Sequence, residues 1–335
     1  MKIAIIGGGW VGCHLANKLK KNHNVTLFER NKALFTETSF FNQNRLHLGF
    51  HYARNYKTRE LCKNTFHMFI EDYGFITETV KNNIYCVPNK NSLIDYQTYL
   101  KIFDDYDYQK YFHTFNNVDG CIVTNERYIN FKDINDYFNN ELRDNHIIKQ
   151  VSSSDLKKYS KEFDLVINAT NNQIKDTKND DCFYELTITL LYDRINPTDF
   201  GALTMVDGQL FSIYPYESNT YTVTDVEHTP IKKFKTIKSL ENFKKTISKD
   251  LVEDKIQRIE NKIILYYPEF LFDFKYKSYF ISIKSKIIDS SDSRSPVISK
   301  KNNVINCFTG KIQGIYIIEN YIKNEINNWE HRIGR

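Results

Sequence analysis

The chain has 335 residues, 41% hydrophobic and 26% charged, with 46 Lys+Arg against 41 Asp+Glu for a formal charge of +5. That length has room for about two domains, and its 24 Phe and 23 Tyr exclude a disordered chain. No run approaches the ~20 apolar residues of a membrane span, and the Lys-rich stretch at 232–238 is short and broken by Phe234 and Ile237, which argues against a nucleic-acid patch.

In chain order, residues 2–6 are an Ile-rich run that predicts a buried parallel strand. The run enters Gly7-Gly8-Gly9-Trp10-Val11-Gly12, a G-x-G-x-x-G pattern. A helix over 11–21 follows, with Val11, Leu15 and Leu19 on one face, and then a strand over 24–28 that ends at Glu29. This is the arrangement of a dinucleotide site. Gly7 permits a tight turn, Gly9 a close backbone approach to a pyrophosphate, and Gly12 close packing of helix on strand. The helix N-terminus, with Trp10 and Val11 in its first turn, offers N–H groups to the phosphates. Glu29 is suited to accept hydrogen bonds from ribose hydroxyls and to repel a 2′-phosphate, which argues against NADP. Arg30 beside it is a further candidate contact. The motif leaves NAD and FAD open.

The segment Phe40-Phe41-Asn42-Gln43-Asn44-Arg45-Leu46-His47-Leu48-Gly49-Phe50-His51-Tyr52 is rich in donors and aromatics. Asn42, Asn44 and Arg45 are suited to donate to cofactor oxygens. His47 and His51 are four apart, but Gly49 lies between them and no metal-binding motif accompanies them, so no metal is expected.

Further on, the pattern predicts helices over 58–73, 92–103 and 131–143 and strands over 82–88 and 121–124. Phe-Asp-Leu-Val-Ile-Asn-Ala-Thr at 163–170 predicts a strand rejoining the first sheet, with Ala169 and Thr170 near the cofactor. From 183 to 226 the texture is that of antiparallel strands, with Asp207-Gly208 as a hairpin signal. Helices are expected at 240–252 and 254–266, and a strand at 277–283. The strand expected at 303–308 runs into Thr309-Gly310-Lys311-Ile312-Gln313-Gly314 and a helix over 315–326, so a second helix N-terminus points toward the ligand.

The glycine motif with Glu29 and Arg30, the Asn-rich loop near Gly49, Ile167-Asn168-Ala169-Thr170 and Thr309-Gly310-Lys311-Ile312 come in the order found in FAD-dependent oxidoreductases. The chain resembles the D-amino-acid oxidase superfamily. Its C-terminal Ser293-Arg294-Ser295-Pro296 and Gly310-Lys311 look most like the glycerol-3-phosphate dehydrogenase branch. The resemblance implies FAD as cofactor and contacts from Gly310, Lys311 and Ile312 to the flavin. Thr309 stands where that branch has glycine, Asn171 replaces a glycine, and no arginine matches the family's substrate-carboxylate arginine.

The expected fold is α/β: a Rossmann-type FAD-binding domain, with a parallel sheet and flanking helices, interrupted by an α+β substrate domain with an antiparallel sheet. The expected boundaries are 1–80, 118–180 and 287–335 for the first domain, and 81–117 and 181–286 for the second. The expected activity is transfer of a hydride to flavin N5 from a C–H next to an amine or hydroxyl of a small polar substrate. An NAD-dependent dehydrogenase and a flavin-dependent sugar mutase stay open, as does the electron acceptor. His51, then His47 and His228, are candidate bases. Arg294 and Arg45 are suited to hold an anionic substrate, and Tyr214 and Tyr279 are either pocket walls or core. The six scattered cysteines read as free thiols, and the chain as cytoplasmic.

Overall fold

The computed structural model describes residues 1–174, 182–208, 210–288 and 294–332. Ser293, quoted above in the C-terminal pattern, lies outside them. The chain forms two compact units, one of Met1–Phe40, Phe131–Cys182 and Ile287–Arg335, the other of Phe41–Asn130 and Phe183–Lys286. Residues 41–80 and 118–130, placed by sequence with the FAD-binding domain, therefore go with the second unit.

The first unit is built on a six-stranded sheet. Its order is Val297–Lys301, Val304–Phe308, Leu165–Asn168, β1 (Lys2–Ile6), β2 (Asn24–Glu29) and His146–Ile148. Every neighbouring pair is parallel except the first. The predicted strands pair in register, with Ile5 opposite both Ile167 and Leu27. The apolar run of β1 is buried because both sheet faces are covered. Ala4, Ile6, Phe28 and Val166 pack with Leu156 and Tyr159 of the helix Ser153–Glu162. A capping box, Ser152 with Asp155, starts that helix. Helix α1 (Trp10–Leu19) follows β1 directly and buries Val11, Leu15 and Leu19, as its spacing predicts.

The second unit holds a nine-stranded sheet and a small three-stranded one of Arg45–Leu46, Arg127–Ile129 and Thr77–Thr79. In the large sheet, period-two alternation separates two faces. Ile84, Leu203, Phe211, Ile213 and Val223 lie on the apolar side, against Val252, Ile259 and Ile263 of the helix Lys249–Ile264. The opposite side carries hydroxyls. Tyr85 is opposite Thr204, Thr204 opposite Ser212, and Tyr214 opposite Thr222.

Two expectations are corrected. The helices expected at 240–252 and 254–266 are Ile237–Lys244 and Lys249–Ile264, divided at 245–248. The new helix starts there because the Ser248 hydroxyl accepts the Leu251 amide at 3.2 Å, an N-cap that outweighs the apolar period. Nor are all six cysteines free. Cys86 and Cys121 face each other across adjacent antiparallel strands and pair as a disulfide, while Cys13, Cys62, Cys182 and Cys307 are free and buried. Sequence spacing does not show which strands are neighbours, so it could not place this pair.

Candidate active site

In the first unit the glycine turn is a cradle of bare backbone. Gly7 has φ +105°, open to glycine at little cost. A Cβ there would lie 2.7 Å from the Ala169 carbonyl oxygen, and one at Gly12 would lie 1.9 Å from the Gly7 carbonyl oxygen. Gly9 approaches Ser39 in the same way, with an added Cβ 2.7 Å from its Oγ. The Trp10 amide, in the first turn of α1 beside Val11, donates to that Oγ at 3.0 Å. Glu29, at the end of β2, accepts the Gly8 amide at 2.7 Å and the Asn31 amide at 3.0 Å. Its carboxylate is thereby fixed at the mouth of the turn. Arg30 bonds to Glu37 at 2.8 Å.

Two further strand ends belong to this unit. The Ala169 amide donates to the Ile6 carbonyl at 2.8 Å, which seats Ala169 and Thr170 against Gly7. Asn168 accepts the Thr170 hydroxyl at 2.7 Å and donates to Asn306 at 2.8 Å, tying one strand end to the next. In the C-terminal turn the Lys311 amide donates to Thr309 Oγ1 at 3.2 Å, and the short turn Ile312–Gly314 leads into the helix Ile315–Arg332. Gly310 lies against Arg294, with an added Cβ 3.2 Å from its Cα. Thus Arg294 lies beside the turn that carries Gly310, Lys311 and Ile312.

Asn42, Asn44, Arg45, His47 and His51 lie in the second unit. Arg45 is 5% exposed and reaches the hydroxyl face of the large sheet. Its Nη1 donates to Tyr85 at 3.1 Å and Thr204 at 3.0 Å, and its Nη2 to Ser212 at 2.9 Å. Its guanidinium stacks 3.8 Å from the centre of the Tyr214 ring. Burial opposes its charge, but Tyr85, Tyr214 and Glu126 offset this and raise its pKa above the ordinary value. Gln43 reaches the same face, bonding to Ser212 at 3.1 Å and Thr222 at 3.2 Å. Asn42 Oδ1 accepts the Asn44 amide at 2.6 Å, and Asn44 has φ +50°. Asn44 Nδ2 and Arg45 Nε are buried donors without an acceptor among the described residues. Such donors are suited to an oxygen of a ligand or of water.

His47 lies with Nδ1 3.7 Å from Glu126, and its ring is 5.9 Å from that of His51. Both rings pack edge-on to Tyr52. The structure places His228 elsewhere in this unit, in the turn after Thr220–Asp225, where its amide donates to Asp225 at 2.6 Å. The carboxylates of Asp225 and Glu227 there both pair with Lys262, at 2.9 and 2.8 Å. Tyr214 is fully buried with its hydroxyl on the Arg127 carbonyl, whereas Tyr279 is 41% exposed.

Sequence reading missed Ser39, Gln43, Tyr85, Glu126, Thr204 and Ser212. Alternation within each strand signals which of the sheet hydroxyls share a face. Glu126 follows a strand with no pattern to mark it, and only its burial and partners single it out.

This cradle, ending at an acidic strand tip in a mostly parallel sheet, is that of a dinucleotide-binding fold. A family model described as FAD dependent oxidoreductase matches residues 2–89. The chain is 33% identical over 341 residues to the FAD-dependent monooxygenase FPY4 of Fusarium mangiferae, covering 97% of this chain and 91% of that protein. It is 25% identical over 377 residues to the FAD-dependent monooxygenase kojA of Aspergillus flavus, covering 99% and 87%. Among solved structures, glycine oxidase from Geobacillus kaustophilus matches with a TM-score of 0.69 at 11% identity, covering 98% of this chain and 94% of that one. The glycerol-3-phosphate dehydrogenase from Bacillus halodurans, complexed with FAD, matches at 0.57 and 13%, covering 100% and 65%. The chain belongs to the FAD-dependent oxidoreductases of the D-amino-acid oxidase superfamily. Its cofactor is FAD, which decides between the two dinucleotides that the motif left open. Within the first unit, the bare cradle and the fixed Glu29 carboxylate fit that cofactor. Among the described residues, no helix is long and apolar enough to cross a membrane.

Proposed function

We propose that the chain oxidises a small polar substrate at a carbon bearing an amine or hydroxyl. The observation that carries this reading is the intact cradle at Gly7, Gly9 and Gly12 with Glu29 fixed at its mouth. The bound flavin supplies the two-electron acceptor at N5. Glu29 accepts the ribose hydroxyls, the first turn of α1 at Trp10 and Val11 receives the pyrophosphate, and Arg30, Ala169 and Thr170 line the cofactor. Asn42, Asn44 and Arg45 donate to the cofactor. The backbone at Gly310, Lys311 and Ile312 steadies negative charge on the flavin. Arg294, beside Gly310, holds an anionic group of the substrate. His51, with His47 next to it, takes the proton of a substrate hydroxyl.

The names of the two fungal relatives favour a second reading, in which oxygen is inserted into the substrate. An absorbance spectrum of the purified chain, with extraction of the cofactor, tests both. The expected result is a flavin spectrum and extractable FAD, bleached without oxygen by one member of a panel of amines, amino acids and sugar alcohols. A colourless protein that releases no FAD sinks the proposal. Label from dioxygen in the product would select the second reading over the first. Unchanged bleaching of the His51→Ala variant would remove His51 from its role.

A further inference from the structure

Glu126 is fully buried in the second unit and hydrogen-bonded through both oxygens. Oε1 accepts the Leu48 amide at 2.7 Å and the Gly49 amide at 3.3 Å, and lies 3.7 Å from His47 Nδ1. Oε2 accepts the Tyr85 hydroxyl at 2.6 Å, and the Tyr85 oxygen in turn accepts from Arg45 at 3.1 Å. Burial and the adjacent carboxylate push the Tyr85 pKa far up, with Arg45 opposing, so Tyr85 stays a neutral donor. Two buried opposite charges are thus joined through one phenol. The other acceptors of Arg45, Thr204 and Ser212, are neutral, and Glu126 acts on its charge from beyond Tyr85. A buried ion without a counter-charge is strongly disfavoured. The same carboxylate accepts the successive Leu48 and Gly49 amides, in the stretch between His47 and His51.

We propose that Glu126 is a positioning residue whose charge balances that of Arg45 across Tyr85, charge on charge and not by relay through the phenol, and so sets how strongly Arg45 favours the reduced, more negative form of the cofactor. This rests on the reading of Arg45 as a cofactor contact. A positive charge nearby favours added electrons, and the carboxylate behind it tempers that pull. No side chain at position 126 needs to touch the cofactor.

The test is the equilibrium between oxidised and reduced FAD in the full-length, FAD-loaded protein, read against a reference dye. Glu126→Gln keeps the shape and removes the charge. It is expected to shift the ratio at a fixed applied potential about tenfold toward reduced FAD. Tyr85→Phe removes two hydrogen bonds and keeps both charges, and is expected to leave the ratio near wild type while lowering the melting temperature. A wild-type ratio in folded Glu126→Gln, or an equal shift in Tyr85→Phe, overturns the proposal. If Glu126→Gln does not accumulate as folded protein, the double variant Arg45→Gln/Glu126→Gln restores neutrality. Recovery of folded protein supports the balance, and no recovery overturns it. If the wild-type chain holds no FAD, the reading of function fails by itself. The balance is then read from melting temperatures alone: a double variant more stable than Glu126→Gln supports it, and one no more stable overturns it.

Discussion

Gly12 and Glu29 show how single residues shape the glycine turn. A methyl at Gly12 would lie 1.9 Å from the Gly7 carbonyl oxygen, so the turn itself must move. Overpacking of that kind costs about 1–3 kcal/mol. Gly12→Ala is expected to leave a folded protein that loses FAD on gel filtration, checked by the ratio of flavin to protein absorbance. Glu29 acts differently, because its carboxylate holds the turn through the Gly8 amide and is, in the proposed reading, the acceptor of the ribose hydroxyls. Hydrogen bonds to a charged group are worth about 1.5–3 kcal/mol. Glu29→Ala is therefore expected to weaken FAD binding by at least about tenfold, measured by titration of the apoprotein. Arg45 was legible as a donor in the sequence. Its partners were not, since Tyr85, Thr204 and Ser212 are 40, 159 and 167 residues away.

Between elements, α1 and the C-terminal helix Ile315–Arg332 are joined by a buried polar contact. His14 Nε2 lies 2.9 Å from Glu319 Oε2, and Lys323 reaches the other carboxylate oxygen at 2.7 Å. Burial raises the Glu319 pKa, but the bonds from His14 and Lys323 outweigh this and bring it from 4.5 down to about 2. A carboxyl depressed in the folded state adds stability above its ordinary pKa and loses it as pH falls toward the depressed value. The melting temperature of the wild type should thus drop as pH falls from about 5 to 2. Glu319→Gln should melt lower than wild type at pH 6 and show a shallower acid slope, measured by thermal scans across that range. Such a contact spans 305 residues and has no sequence signature. Local signals did better. The strands expected at 2–6 and 24–28, and the helix at 58–73, appear as Lys2–Ile6, Asn24–Glu29 and Tyr56–Tyr73. The helix break expected at 253 falls instead at 245–248, where Ser248 caps the second helix.

At the scale of the whole molecule, the first unit is assembled from three stretches of chain. The central strand Leu165–Asn168 pairs β1 on one side and Val304–Phe308 on the other. A fragment of residues 1–182 therefore lacks the strand and turn at 304–314 that complete the sheet. It is expected to retain no FAD and to show no cooperative melting, checked by gel filtration with absorbance and by circular dichroism. Adding residues 183–335 as a second chain should restore both, since the missing strand is supplied by parallel pairing along the edge of Leu165–Asn168.

The sequence by itself determined the nucleotide motif, most strand and helix positions, and the resemblance that named the cofactor. These rest on local geometry: glycine's conformational freedom, the periods of strand and helix, and an acidic strand tip at a fixed distance from the turn. Only the tertiary structure decided where the units divide, which cysteines pair, and how Arg45, Tyr85 and Glu126 come together. Those outcomes depend on which strands become neighbours, and that is settled by burial of whole faces. The opening count of residues left room for two domains, and the folded chain divides that length into two units of interleaved segments.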